Sequence, residues 1–239
     1  MSQTEFDAAD TGGEPTDSNA IPEAVDWLLG GLIALGGLLL LFAGTVLTTV
    51  VGRNELVEAI DEGDTLTVGS TELTRAEAID VSEAVVSWVG VGLLVTGGAL
   101  VLFALAYVFV RRRDTRRSER GEATSSYYAN AVRGSVVTVF FSFVGFSAVL
   151  GGGLAGYLEG GDSDQSVSVG GVAGLLSALP ALVIAVFTLI GLFAGLRDIG
   201  QTGPLAVAAI GMALAVLIYT GINATLGALG GYVGGRLAE

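Results

Sequence analysis

From Ala84 to Val110 the chain reads AVVSWVGVGLLVTGGALVLFALAYVFV, and the next seven residues are RRRDTRR. The first stretch holds no acid and no base; the second holds five arginines. A helix rises 1.5 Å per residue, so about 20 apolar residues cross a hydrocarbon core about 30 Å thick. The stretch therefore predicts a membrane-crossing helix with a cationic end. Four further stretches have the same character: Trp27 to Val51, Ser135 to Leu158, Val169 to Leu196 and Leu205 to Val233. None carries a charged residue in its interior, and none has the polar face of a core helix in a soluble protein. The expected fold class is an all-α membrane protein of five transmembrane helices.

Composition agrees. Of 239 residues, 51% are hydrophobic and only 15% charged, with a mean hydropathy of +0.70. There are 24 acids against 11 bases, giving a net charge of −13. Every base is Arg, and Lys, His and Cys are absent. Without Cys there is no disulfide or thiolate chemistry. Without His the commonest general base and metal ligand is missing. The negative balance argues against nucleic acid as a partner. Acid excess with Arg in place of Lys resembles the proteomes of salt-in halophilic archaea, where carboxylates keep a surface hydrated in screening salt.

Arginine placement sets the expected orientation. The segment 111–134 contains seven of the eleven arginines, including Arg111, Arg112, Arg113, Arg116, Arg117 and Arg120, and is expected in the cytoplasm, where it also contacts anionic lipid headgroups. The 52–83 loop, with nine acids and two arginines, is expected outside. The N-terminus is then inside and the C-terminus outside, with Arg236 as an exception. Trp27, Trp88, Tyr127, Tyr128, Tyr157 and Tyr232 fall near span ends, as an interfacial aromatic belt requires. The chain divides into a disordered acidic tail (1–26), a two-helix hairpin (27–110) with its outer loop, the Arg-rich loop (111–134) and a three-helix Gly-rich domain (135–239). The tail lacks the basic start and short apolar core of a signal peptide.

Within the outer loop, Thr65 to Leu73 reads as a β-hairpin turning at Gly69-Ser70. Thr74 and Glu77 form a capping-box pair that starts a helix. Asp61, Glu62 and Asp64 lack the alternating ligand pattern of a calcium loop and read as a solvated cluster. No metal and no cofactor is expected.

The 37 glycines carry the packing expectation. Gly152 and Gly156, Gly170 and Gly174, and Gly227, Gly231 and Gly235 are spaced by four, so each set lines one helical stripe where two backbones can approach. Most of these stripes are expected to pack within the chain; the fifth-helix set is the best candidate for a homo-oligomer. Pro180 should kink the fourth span and is a hinge candidate. Thr220, Asn223 and Thr225 are the densest intramembrane polar group, either glue to a neighbouring helix or a polar step in a permeation path. Two echoes run through the sequence. Trp27-x3-Gly31-x4-Gly36-Gly37 repeats at Trp88-x3-Gly92-x4-Gly97-Gly98, and Leu150-Gly151 with Gly156-Tyr157-x2-Gly160 repeats at Leu226-Gly227 with Gly231-Tyr232-x2-Gly235.

The run GFSAVLGGGLAGYLEGGD (145–162), followed by VGGVAGLLSALP (169–180), resembles an uncharacterised haloarchaeal family of Gly-rich multi-span membrane domains, over roughly residues 130–237. That family often carries Pro at the positions of Gly145 or Ala148, where this chain departs. The resemblance implies location and fold; it transfers no activity and no site residue.

The reading that follows is a multi-pass protein of the cell membrane with no enzymatic role, a structural or accessory component acting through glycine-mediated helix packing. The alternative is a small permease or channel-like transporter. The expected partners are membrane lipids, a further copy of the chain through the fifth helix, and an acidic cytoplasmic protein at the Arg-rich loop. No Ser has a base near it at membrane depth, so no hydrolase arrangement is expected.

Overall fold

The computed structural model describes residues 23–60, 66–68, 71–118, 127–142, 145–160 and 163–239. In chain order the elements are α1 (Glu23–Thr49), α2 (Arg53–Ala59), β1 (Leu66–Val68), β2 (Thr71–Leu73), α3 (Arg75–Ser118), α4 (Tyr127–Phe140), α5 (Ser147–Glu159), α6 (Ser163–Asp198) and α7 (Gly203–Leu237). Four of them, α1, α3, α6 and α7, are long and apolar enough to cross a membrane. Much of their surface is exposed apolar side chain, as at Leu28, Phe42, Phe109 and Leu217, which suits lipid contact.

The third expected span is corrected. Ser135 to Leu158 is not one helix but parts of two, α4 and α5, with a break after Phe140. At 14 and 13 residues each is about 20 Å long, short of a crossing. The two fold back on each other as a helical hairpin. Asn130 bonds Glu159 near its open end. A Cβ on Gly134 would lie 2.5 Å from the Gly151 carbonyl oxygen and 2.8 Å from the Ala155 Cβ. The physical cause is where the small residues lie. Ala131 and Gly134 on one arm, and Gly151 and Ala155 on the other, can touch only if the chain reverses between them. Ala131, Ala155, Val169 and Ala173 then bury together against α6.

Contact registers fix the helix directions. Gly37 opposes Gly97, and Gly44 opposes Gly90, so α1 and α3 are antiparallel. Gly92 meets Phe187 and Gly195 meets Val81, so α3 and α6 are antiparallel. Gly170 meets Gly227 and Gly174 meets Asn223, which makes α6 and α7 antiparallel as well. Gly152 faces Gly227 and Gly156 faces Gly231, a constant offset, so α5 and α7 run parallel. The second sequence echo has a structural meaning here in its Gly156 and Gly231 part, which lies in register on these parallel helices, while Gly151 faces α4 and its neighbour Gly152 meets Gly227. The first echo enters the α1–α3 contact only at Gly37 and Gly97, which are not equivalent positions of its two copies. A Cβ on Gly31, Gly36 or Gly98 would meet nothing, whereas Gly37 and Gly44 oppose Gly97 and Gly90, and Gly30, seven residues before Gly37, faces the Val108 side chain.

With four long helices and a hairpin that returns to its own side, both ends of the described chain lie at one end of the bundle. That end holds the first turn of α1, bonded to α3 and α4, together with the open end of the hairpin, the start of α6 and the end of α7. An odd number of end-to-end helices would have separated the two ends; four do not.

The opposite end is capped by the expected hairpin. Leu66 pairs with Leu73, Thr67 with Glu72, and Val68 with Thr71. Leu73, Ala78, Val81 and Leu196 bury together, with Val68 and Leu205 against them. The Thr74 backbone N–H donates to Glu77 Oε2 at 2.9 Å, closing the capping box at the start of α3. Gln201 Nε2 donates to the other Glu77 oxygen at 3.2 Å, tying the α6–α7 connection to that cap. Gly200, at φ 75, ends α6 in the left-handed conformation that favours glycine. The short helix α2 was not foreseen. It is held from outside itself: Arg53 Nη1 bonds Asp80 (2.5 Å) and Glu83 (3.2 Å), and Arg75 donates to the Ile60 and Val57 carbonyls. The hydrogen bond and charge of Asp80 push the Arg53 guanidinium above its ordinary value. Asp61, Glu62 and Asp64 lie outside the described residues.

Candidate functional site: a buried ionic cluster at the open end of the hairpin

Three polar residues at the hairpin end of the bundle are almost wholly buried: Asp26, Asn130 and Arg133, with Arg133 only 3% exposed. Asp26 belongs to the first turn of α1, and the tail assigned to residues 1–26 therefore gives way to helix at Glu23. Residues 1–22 lie outside the described residues. Asp26 accepts from three donors. Tyr107 Oη donates at 2.9 Å, Arg111 Nε at 3.1 Å and Arg133 Nη2 at 2.7 Å. Arg133 also donates through Nη1 to Asn130 Oδ1 at 2.9 Å, one turn back on α4. Asn130 Nδ2 passes the chain of bonds to Glu159 Oε2 at 2.9 Å. Two arginines thus balance two carboxylates across α1, α3, α4 and α5.

The local sequence explains the placement. Asn130 and Arg133 are three apart on α4, so both side chains leave one face. Tyr107 and Arg111 are four apart on α3 and reach Asp26 from one side. The planar guanidinium of Arg133 presents two donors in a fork, which one residue can aim at two acceptors. In a low-dielectric setting such a cluster is tolerable only because each charge has a partner. Arg133 Nε is the exception, buried and without a hydrogen-bond partner. Chemically the arrangement fastens helices.

Aromatic side chains and further arginines surround it. The Arg112 guanidinium stacks over Trp27 at 4.4 Å, and that of Arg236 over Tyr232 at 4.7 Å. Tyr127 and Tyr128 pack edge to face, and Tyr127 Oη bonds Ser168 Oγ at 2.6 Å. Arg236, the exception to the expected orientation, joins the arginine-rich end. Trp88 is different: it packs against Phe187 within the α3–α6 contact.

The glycines singled out in the sequence sit as follows. Cβ atoms on Gly152, Gly170 and Gly227 would meet backbone of the facing helix, and so would those on Gly156, Gly174 and Gly231. One on Gly235 would meet the Ser166 side chain at 2.5 Å. The α7 stripe is covered by α5 and α6 of the same chain. The polar group on α7 departs from expectation. Asn223 Nδ2 donates to the Tyr219 carbonyl at 2.8 Å, and Thr225 Oγ1 to the Gly221 carbonyl at 2.8 Å, both within α7 and not to a neighbouring helix. Four residues is one helical turn, so the nearest acceptor is the helix's own carbonyl. Thr220 Oγ1 is buried without a partner. Pro180 lies inside α6, which continues through it. Arg111 belongs to the cluster, while Arg112, Arg113 and Arg116 are exposed at the end of α3. The Arg117 side chain and Arg120 lie outside the described residues.

The ionic cluster was missed because Asp26 lies in the segment assigned to the tail, and Arg111, Asn130 and Arg133 in that assigned to a loop. A signal was there: Asn130 and Arg133 follow Tyr127-Tyr128 at helical spacing and run without interruption into the apolar stretch.

Residues 128–237 match a family described as "Family of unknown function (DUF5518)". The match covers α4 to α7 from the second residue of α4, and so includes Asn130, Arg133 and Glu159 but neither α1 nor α3. No curated protein and no solved structure matches the chain.

Proposed function

We propose that this chain is a non-enzymatic, multi-pass component of the cell membrane with a structural or accessory role exercised through glycine-mediated helix packing. The observation that carries the reading is how its interior is filled. Helices α5, α6 and α7 meet backbone to backbone at Gly152, Gly170 and Gly227. Thr96, Thr138, Ser177, Thr188, Asn223 and Thr225 each donate to a carbonyl of their own helix. A donor satisfied by its own helix needs no water, which supports packing over a lined path. The arginine-rich end, with both described chain ends beside it, faces the cytoplasm, as positive charge near span ends favours. The acid excess suits a chain working in concentrated salt.

One observation favours the alternative of a small permease. Tyr127 lies beside Ser168, and Gly134 beside Ala173. The same offset carries the end of α4 to the level of Pro180. A helical hairpin ending at mid-depth beside a proline is the kind of discontinuity that lines ion or substrate sites in transporters.

The two readings separate in one experiment. The chain is reconstituted into proteoliposomes, and uptake of small ions and metabolites is followed beside protein crosslinking in native membranes. The structural reading expects no flux above protein-free vesicles and a recurrent crosslinked neighbour. Flux that is lost in Pro180→Ala overturns it in favour of the permease.

A further inference from the structure

The exposed arginines at the C-terminal end of α3 have no ion-pair partner among the described residues, and the chain carries a segment of matching charge that begins beside them. We propose that residues 1–22 dock on the face formed by Arg112, Arg113 and Arg116, so that the chain's own acidic segment is the occupant of this surface. The segment holds Glu5, Asp7, Asp10, Glu14 and Asp17 and no base. Arg53, Arg111 and Arg133 are each paired with carboxylates. Arg112 is stacked on Trp27, and Arg113 and Arg116 are exposed.

Geometry places the segment's exit at this face. Asp26 accepts from Arg111 Nε at 3.1 Å, and Arg112 lies over Trp27 at 4.4 Å, so the start of α1 already rests on the end of α3. From Arg111 to Arg116 is about 7.5 Å along the helix. Asp17 is five residues before residue 22, a span of up to about 17 Å. Tethering turns this encounter into an intramolecular one, which raises the effective concentration of carboxylate to about the millimolar range. Each surface pair is weak alone and screened by salt. The contact is therefore cooperative and salt-sensitive, and it competes with an acidic protein or an anionic headgroup for the same guanidinium groups. The proposal does not depend on the structural or the permease reading.

The full-length protein, which has no native Cys, is placed in zwitterionic nanodiscs as the pair Ser18→Cys with Thr115→Cys. Ser18→Cys with Thr202→Cys, at the other end of the bundle, is the control. Under mild oxidation in about 0.1 M salt, the first pair is expected to form disulfide about tenfold faster than the control. Replacing Arg112, Arg113 and Arg116 by Gln is expected to remove most of that advantage, as is about 1 M salt. A yield no higher than the control overturns the proposal. So does a yield unchanged by the three Gln substitutions, which would show proximity from the tether alone. In nanodiscs containing phosphatidylglycerol, retention of the crosslink supports the segment as occupant, and its loss assigns the face to headgroups instead.

Discussion

Arg133 shows what a single side chain contributes to this bundle. Its guanidinium joins Asp26 of α1 to Asn130 of α4 in a nearly dry setting. Removing one member of such a pair leaves the other charge buried and unpaired, which costs more than the pair contributes. Arg133→Leu is expected to lower stability by about 3 kcal/mol, read as a reduced midpoint of unfolding in detergent. The double variant Asp26→Asn with Arg133→Gln is expected to recover part of that loss. Equal loss in both would show that the charges are not coupled. Asn223 gives the opposite expectation. Because its amide is satisfied by Tyr219 of its own helix, Asn223→Leu should change stability by less than about 1 kcal/mol; a larger drop in the same assay would reveal a partner on another helix.

Among the elements, the α5–α6–α7 contact is the most sensitive to volume. A Cβ at Gly152 would meet the Gly227 backbone, and backbone cannot turn aside as a flexible side chain can. Gly152→Leu and Gly227→Leu are each expected to cost about 2 kcal/mol or more and to loosen the hairpin from α7, visible as faster proteolysis between α5 and α6. A Cβ at Gly36 or Gly211 would meet nothing. There, Gly→Ala is expected to leave stability unchanged or raise it by up to about 1 kcal/mol, since Ala is the better helix former. Equal effects at buried and open glycines would contradict the packing registers. The contrast also shows a limit of spacing rules. Four-residue spacing marks the α5, α6 and α7 stripes, but the α1–α3 seam uses a seven-residue spacing, Gly30, Gly37 and Gly44, that a small-x3-small rule does not contain.

For the whole molecule, the consequence is sidedness. Single cysteines at Thr115 and Ser163 and one following Leu237 are expected to label together from one side of the membrane. One at Thr202 is expected to label from the other. Five crossings would instead put Ser163 and the C-terminal cysteine with the far side and Thr202 with Thr115, so the labelling pattern counts the spans directly.

The sequence by itself determined the class of molecule. Charge-free stretches long enough to cross lipid can be recognised from composition, because the cost of burying a charge there is local to each residue. The Thr74–Glu77 cap and the Leu66–Leu73 hairpin were also legible, since turn and cap chemistry acts over a few residues. What only the tertiary structure decided is the path of the third apolar stretch and the fate of the polar residues beside it. Hydropathy measures how willingly a segment enters lipid, not whether it continues straight. Here the chain turns back because Gly134 and Gly151, 17 residues apart, fit against each other and against α6. That fit is a property of three helices at once. The same reversal brings Arg133 to Asp26, 107 residues away in sequence, and so makes a buried ion pair from residues that look like loop and tail when the chain is read in order.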